Sequence, residues 1–87
     1  MGRYRLHAMA ASLNVKFGRA VRSFRSAAGY SQEAFADEIK VHRTYMGTLE
    51  RGKANPTLDM IARIAAGLEI SLATLFEAVE TGRTDAG

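Results

Sequence analysis

The chain has 87 residues, 47% of them apolar, with no cysteine and a net charge of +3. That length holds one hydrophobic core and no second one, and the apolar share belongs to a globular chain rather than a disordered one. The absence of cysteine excludes disulfides, thiolate catalysis and cysteine zinc sites. No apolar run approaches membrane-spanning length, and the start, MGRYRLHAMAASLN, lacks the continuous apolar stretch of a signal peptide. The expectation is a cytoplasmic protein with no membrane contact.

Charge is distributed unevenly. Arg3, Arg5, Lys16, Arg19, Arg22 and Arg25 precede Gly29 with no acid among them, whereas Asp59, Glu69, Glu77 and Glu80 face a single Arg63 later in the chain. A basic front and an acidic rear orient a small protein on a polyanion. Residues 1–13 read as a basic N-terminal arm. The first helix is predicted from about Asn14 to Ala28, with Phe17, Val21, Phe24 and Ala28 at i, i+4, i+7 and i+11, and Gly29 ends it. Ser31 caps the second helix, with Glu33 in its first turn and Phe35, Ala36 and Ile39 as its apolar stripe.

Val41 plugs the turn that follows. In the third helix Met46 and Leu49 anchor the rear face, leaving His42, Arg43, Thr44, Gly47 and Thr48 facing outward. Arg51 and Gly52 close it, and Lys53 to Pro56 form a loop with turn chemistry. Thr57 caps a fourth helix whose buried face is Leu58, Ile61, Ile64, Ala65 and Leu68. Ser71 caps a fifth bearing Leu72, Leu75, Phe76 and Val79. Residues 81–87 read as a flexible tail. The fold class expected is all-α: a compact five-helix DNA-binding domain spanning residues 14–80, with a helix-turn-helix between Ser31 and Gly52.

A helix with a buried rear and a small, polar front suits the DNA major groove. Arg43 can fork onto guanine O6 and N7, and Thr44 can donate, accept or touch a thymine methyl; Thr48 lies one turn later on the same face. Gly47 is unfavourable inside a helix, which points to close approach of DNA or of the second helix. Three readings of His42 stand side by side: a cap, a phosphate contact or a filler of the turn. Tyr45 has two, against the sugar–phosphate backbone or packed inward. An enzyme is not expected: the sequence holds no nucleophile with a nearby base, no phosphate-cradling glycine loop and no metal cluster, so no cofactor is assigned.

From Phe17 to Phe76 the chain resembles the lambda-repressor-like, or XRE-type, helix-turn-helix family. The residues that carry the likeness include Phe17-Gly18, Val21-Arg22, Phe24-Arg25, Gly29-Tyr30-Ser31-Gln32-Glu33, Leu49-Glu50-Arg51-Gly52, Asn55-Pro56-Thr57-Leu58 and Ile70-Ser71-Leu72. The stretch from His42 to Gly52 also resembles controller proteins of bacterial restriction–modification systems. The resemblance implies that Gln32 contacts a phosphate and braces the third helix, and that Lys53, Asn55 and Arg51 approach phosphates. It also implies a structural ion pair between Arg25 and Glu50. Two positions depart from the pattern: Lys40 and Glu69 stand where glycine, or asparagine for Glu69, is usual.

The function expected is a sequence-specific, double-stranded-DNA-binding transcriptional regulator, with RNA polymerase contact if it activates. The alternatives are an antitoxin that represses its own operon, a phage-type repressor, or an interaction module that has lost DNA binding. One reading helix covers too few base pairs for a specific site, so a homodimer on a palindromic operator is expected. Met60, Leu72, Leu75, Phe76 and Val79 are its candidate interface.

Overall fold

In the computed structural model, which describes the backbone of residues 3–84 and the side chains of residues 12–84, five helices and no strand are present among the described residues. They are α1 (Arg3–Ala27), α2 (Gln32–Ile39), α3 (Arg43–Glu50), α4 (Leu58–Leu68) and α5 (Leu72–Thr81). α1 is the spine and packs on α5, α3 and α4, while α2 packs on α3 and α4. The core is drawn from every helix: Phe17, Val21 and Phe24; Phe35, Ala36 and Ile39; Met46 and Leu49; Ile64, Ala65 and Leu68; and Leu75, Ala78 and Val79. None of the described helices is long and apolar enough to cross a membrane.

The helix starts follow from their caps. The Ala34, Met60 and Thr74 amides donate to the hydroxyls of Ser31, Thr57 and Ser71 at 3.0, 3.1 and 3.0 Å, each satisfying a donor that the first turn leaves unpaired. The helix ends repeat one device. After α1, α2, α3 and α4 a left-handed residue (Gly29, Lys40, Gly52 or Glu69) donates to the carbonyl three residues back, and the next residue donates five back. This is the Schellman arrangement. At Lys40 (φ 60°) and Glu69 (φ 59°) a β-carbon occupies backbone space that favours glycine, costing about 1–2 kcal/mol at each position. Val41 and Ile70, the residues immediately after, tuck against the core and hold the two turns in that conformation.

Five sequence-based expectations change. α1 begins at Arg3, so the helix runs through the segment set apart as an arm. Ala28 lies beyond the last helical residue, in the turn before Gly29, where the helical period no longer applies, and it is exposed. Leu58, on the first turn of α4, is 81% exposed and so does not belong to that helix's buried face. Leu75 and Val79, assigned to a subunit interface, are 0% and 1% exposed within the single chain. They close the core against α1 and are unavailable to a partner. Of the expected tail, Thr81 belongs to α5, Gly82 caps it, and residues 85–87 lie outside the described residues.

Candidate nucleic-acid interface

The helix-turn-helix is α2, the Lys40–Val41 turn and α3. Its rear is apolar: Phe35, Ala36, Met46 and Leu49 are essentially inaccessible to solvent. α3 is locked from a second side by Gly18, where a β-carbon would come within 2.5 Å of the Leu49 carbonyl oxygen and 2.7 Å of the Glu50 one. Only glycine lets α1 approach the end of α3 this closely.

A polar clamp completes the frame. Arg25, near the end of α1, donates through Nε to Glu50 Oε2 at 2.6 Å and through Nη2 to Glu50 Oε1 at 3.0 Å, while its Nη1 reaches the Tyr30 carbonyl at 2.7 Å. Gln32 Nε2 donates to the same Glu50 Oε1 at 2.8 Å. Arg25 and Glu50 are both buried. The hydrogen bond to Glu50 raises the Arg25 pKa above its already high ordinary value, desolvation opposes that rise, and the carboxylate's charge adds to it. One carboxylate at the end of α3 therefore ties together the end of α1 and the start of α2. The expected pair is present, and Gln32 is its third member.

The front of α3 is open. Arg43 and Thr44 are exposed on the first turn. The Arg43 guanidinium is held by Glu33 of α2, Nη1 to Oε2 at 2.5 Å, in a pair whose side chains are 68% and 61% exposed. His42 caps the helix, its Nδ1 accepting the Thr44 amide at 3.2 Å. Thr48 is half-buried and donates its hydroxyl to the Thr44 carbonyl at 3.0 Å. Tyr45 is also half-buried against the core. Burial pushes its phenol pKa up from the ordinary value, keeping the hydroxyl a donor.

Gly47 is not on the open face. It is buried, and a β-carbon there would meet Arg51 Nη1 at 3.2 Å and Gln32 Oε1 at 3.6 Å. Of the two partners proposed for its close approach, α2 is the one observed, because the side chains of Gln32 and Arg51 lie over it. Arg51, Lys53 and Asn55 are exposed just past α3, and Asn14 Nδ2 donates weakly to Asn55 Oδ1 at 3.4 Å.

Sequence reasoning missed the parts played by Glu33 and Asn14. Glu33 stood out only as an acid in a first turn, and its pairing with Arg43 depends on the angle at which the turn sets α3 across α2. Asn14 carried no signal, since its partner is 41 positions away. Gln32 and Arg51 meet over Gly47, while Arg43, Thr44, Lys53 and Asn55 are exposed.

Comparison with known proteins agrees with this architecture. The helix-turn-helix domain family matches residues 16–78. Control protein C.MunI from Mycoplasma sp is 38% identical over 69 residues, covering 78% of this chain and 93% of that protein. The restriction–modification controller protein C.AhdI from Aeromonas hydrophila superposes with a TM-score of 0.70 at 41% identity, covering 72% of this chain and 96% of that one. The controller protein C.Esp1396I, solved as a tetramer in complex with its natural 35 base-pair operator, superposes with a TM-score of 0.73 at 31% identity, covering 78% and 90% of the two chains. The chain belongs to the XRE-type helix-turn-helix family of DNA-binding transcription regulators, and within it resembles the restriction–modification controller proteins.

Proposed function

We propose that the protein is a sequence-specific regulator that binds a palindromic DNA operator as a homodimer and controls a restriction–modification system. The observation that carries this reading is the rigidly backed α3. Its rear is buried, its end is clamped by Arg25, Glu50 and Gln32, and Arg43 and Thr44 stand on its open first turn. Arg43 is assigned to a guanine edge, Thr44 to an adjacent base, and Gln32, Arg51, Lys53 and Asn55 to phosphates. The operator complex of C.Esp1396I, a similar chain, supports the DNA class.

The dimer reading rests on apolar side chains that the single chain leaves uncovered. Leu72 is 47% exposed, Phe76 37% and Leu58 81%, and Met60 is half-buried beside the core. A two-fold contact through such a surface would set two α3 helices on one face of the duplex, about 34 Å apart.

Selection of binding duplexes from a random pool, followed by titration of the recovered sequence and of each half-site, tests the whole reading. The expected product is a two-fold-symmetric sequence bound much more tightly than either half. Recovery of no preferred sequence would overturn it.

A further inference from the structure

We propose that His42 is a positioning residue that makes DNA reading by α3 sensitive to protonation. The inference rests on the reading of α3 as the recognition helix. α2, α4 and α5 are capped by hydroxyls, from Ser31, Thr57 and Ser71. α3 is capped by an imidazole nitrogen, Nδ1 of His42, which accepts the Thr44 amide at 3.2 Å. A hydroxyl can accept at any pH, whereas an imidazole nitrogen accepts only while it carries no proton. Protonation turns Nδ1 into a donor facing a donor and sets a cation at the positive end of the helix.

The surroundings offer the protonated ring another place to go. His42 lines a shallow recess of about 330 Å³ with Glu33 and Asp37 of α2, Val41 of the turn and Arg43. Among the described residues, the charged groups lining it are those two carboxylates and the Arg43 guanidinium, and α1, α4 and α5 contribute none. Glu33 is also the partner of Arg43. An imidazolium drawn to the α2 carboxylates thus gives up the cap. That loss falls on the turn that carries Arg43 and Thr44. Acidification therefore weakens sequence-specific binding, while the added positive charge favours phosphate contacts of every sequence.

The test compares the full chain with His42→Ser, which supplies a hydroxyl cap and leaves His7 in place. Affinities for the selected operator and for random duplex are measured from about pH 8 to about pH 5.5, where histidines change charge and carboxylates ordinarily remain ionised. In the wild type the operator-to-random ratio is expected to fall about fivefold per reading helix, the size of a lost N-cap. In His42→Ser each protein's own ratio is expected to stay level. Without DNA, the hydrogen-exchange protection factor of the Thr44 amide should drop on acidification in the wild type alone. Operator preference at pH 8 with identical pH profiles in the two proteins, a wild-type ratio that rises on acidification, or unchanged Thr44 protection would each overturn the proposal. Absence of sequence preference at every pH would instead overturn the reading of α3 on which it rests.

Discussion

At the scale of single residues, Arg43 and Lys53 separate two kinds of DNA contact. Arg43→Ala, or Thr44→Ala, is expected to weaken operator binding by about 1–3 kcal/mol per lost contact and to relax preference at one base pair. Lys53→Ala should weaken binding to all sequences alike and shallow the salt dependence by about one unit. Competition against random duplex at several salt concentrations distinguishes these outcomes. Retention of full preference by Arg43→Ala would move the reading face elsewhere. The Glu33–Arg43 pair is largely exposed, and such pairs contribute about 0–1 kcal/mol, so releasing Arg43 to a base costs little. Lys40 offers a second residue-scale test. Its left-handed backbone makes Lys40→Gly neutral or stabilising by up to about 1 kcal/mol, because relief of β-carbon strain offsets glycine's greater unfolded-state entropy. Thermal melting reads the sign, and clear destabilisation would contradict the turn geometry.

At the scale of elements, α3 is short and owes its orientation to tertiary contacts, since isolated helices of such length are marginal. The Arg25–Glu50–Gln32 clamp supplies much of that orientation. Glu50→Ala leaves the Arg25 guanidinium buried without its partner, so a loss of about 3–5 kcal/mol is expected in denaturant unfolding. Gln32→Ala removes only one arm of the clamp and should lose much less stability while still reducing DNA affinity. If Glu50→Ala unfolded at the wild-type midpoint, the clamp would not be holding α3. Gly18→Ala tests the same element from the other side. A β-carbon 2.5 Å from the Leu49 carbonyl oxygen must push α1 from α3, and destabilisation of about 1–3 kcal/mol follows from comparable overpacking.

At the scale of the whole molecule, assembly decides whether α3 can specify a site. Leu72 and Phe76 remain exposed while their neighbours Leu75 and Val79 are consumed by the core. Leu72→Glu combined with Phe76→Glu is therefore expected to lower self-association and affinity for a full palindrome, and to change half-site binding far less. Sedimentation at micromolar concentration and operator titration measure the two quantities. A wild-type chain that sediments as a strict monomer and binds a half-site as tightly as the palindrome would rule the homodimer out.

The order of helices, their caps and the reading turn were legible in the sequence because each is local. Ser31, Thr57 and Ser71 announce helix starts through hydroxyls that reach amides three residues on, and the apolar stripes of α2 to α5 repeat with the helical period. Lys40 and Glu69 were legible as departures through the family resemblance, which implies glycine, or asparagine for Glu69, at those turns. The sequence therefore determined the helix-turn-helix and the candidates for its front face. Only the tertiary structure decided what each front residue faces. It sent Gly47 behind Gln32 and Arg51, paired Arg43 with Glu33, aimed His42 at the Thr44 amide, and divided the apolar side of α5 between core and surface. These outcomes depend on crossing angles and on how far one helix extends past another. Such quantities are set by packing between residues distant in the chain, and no local period encodes them.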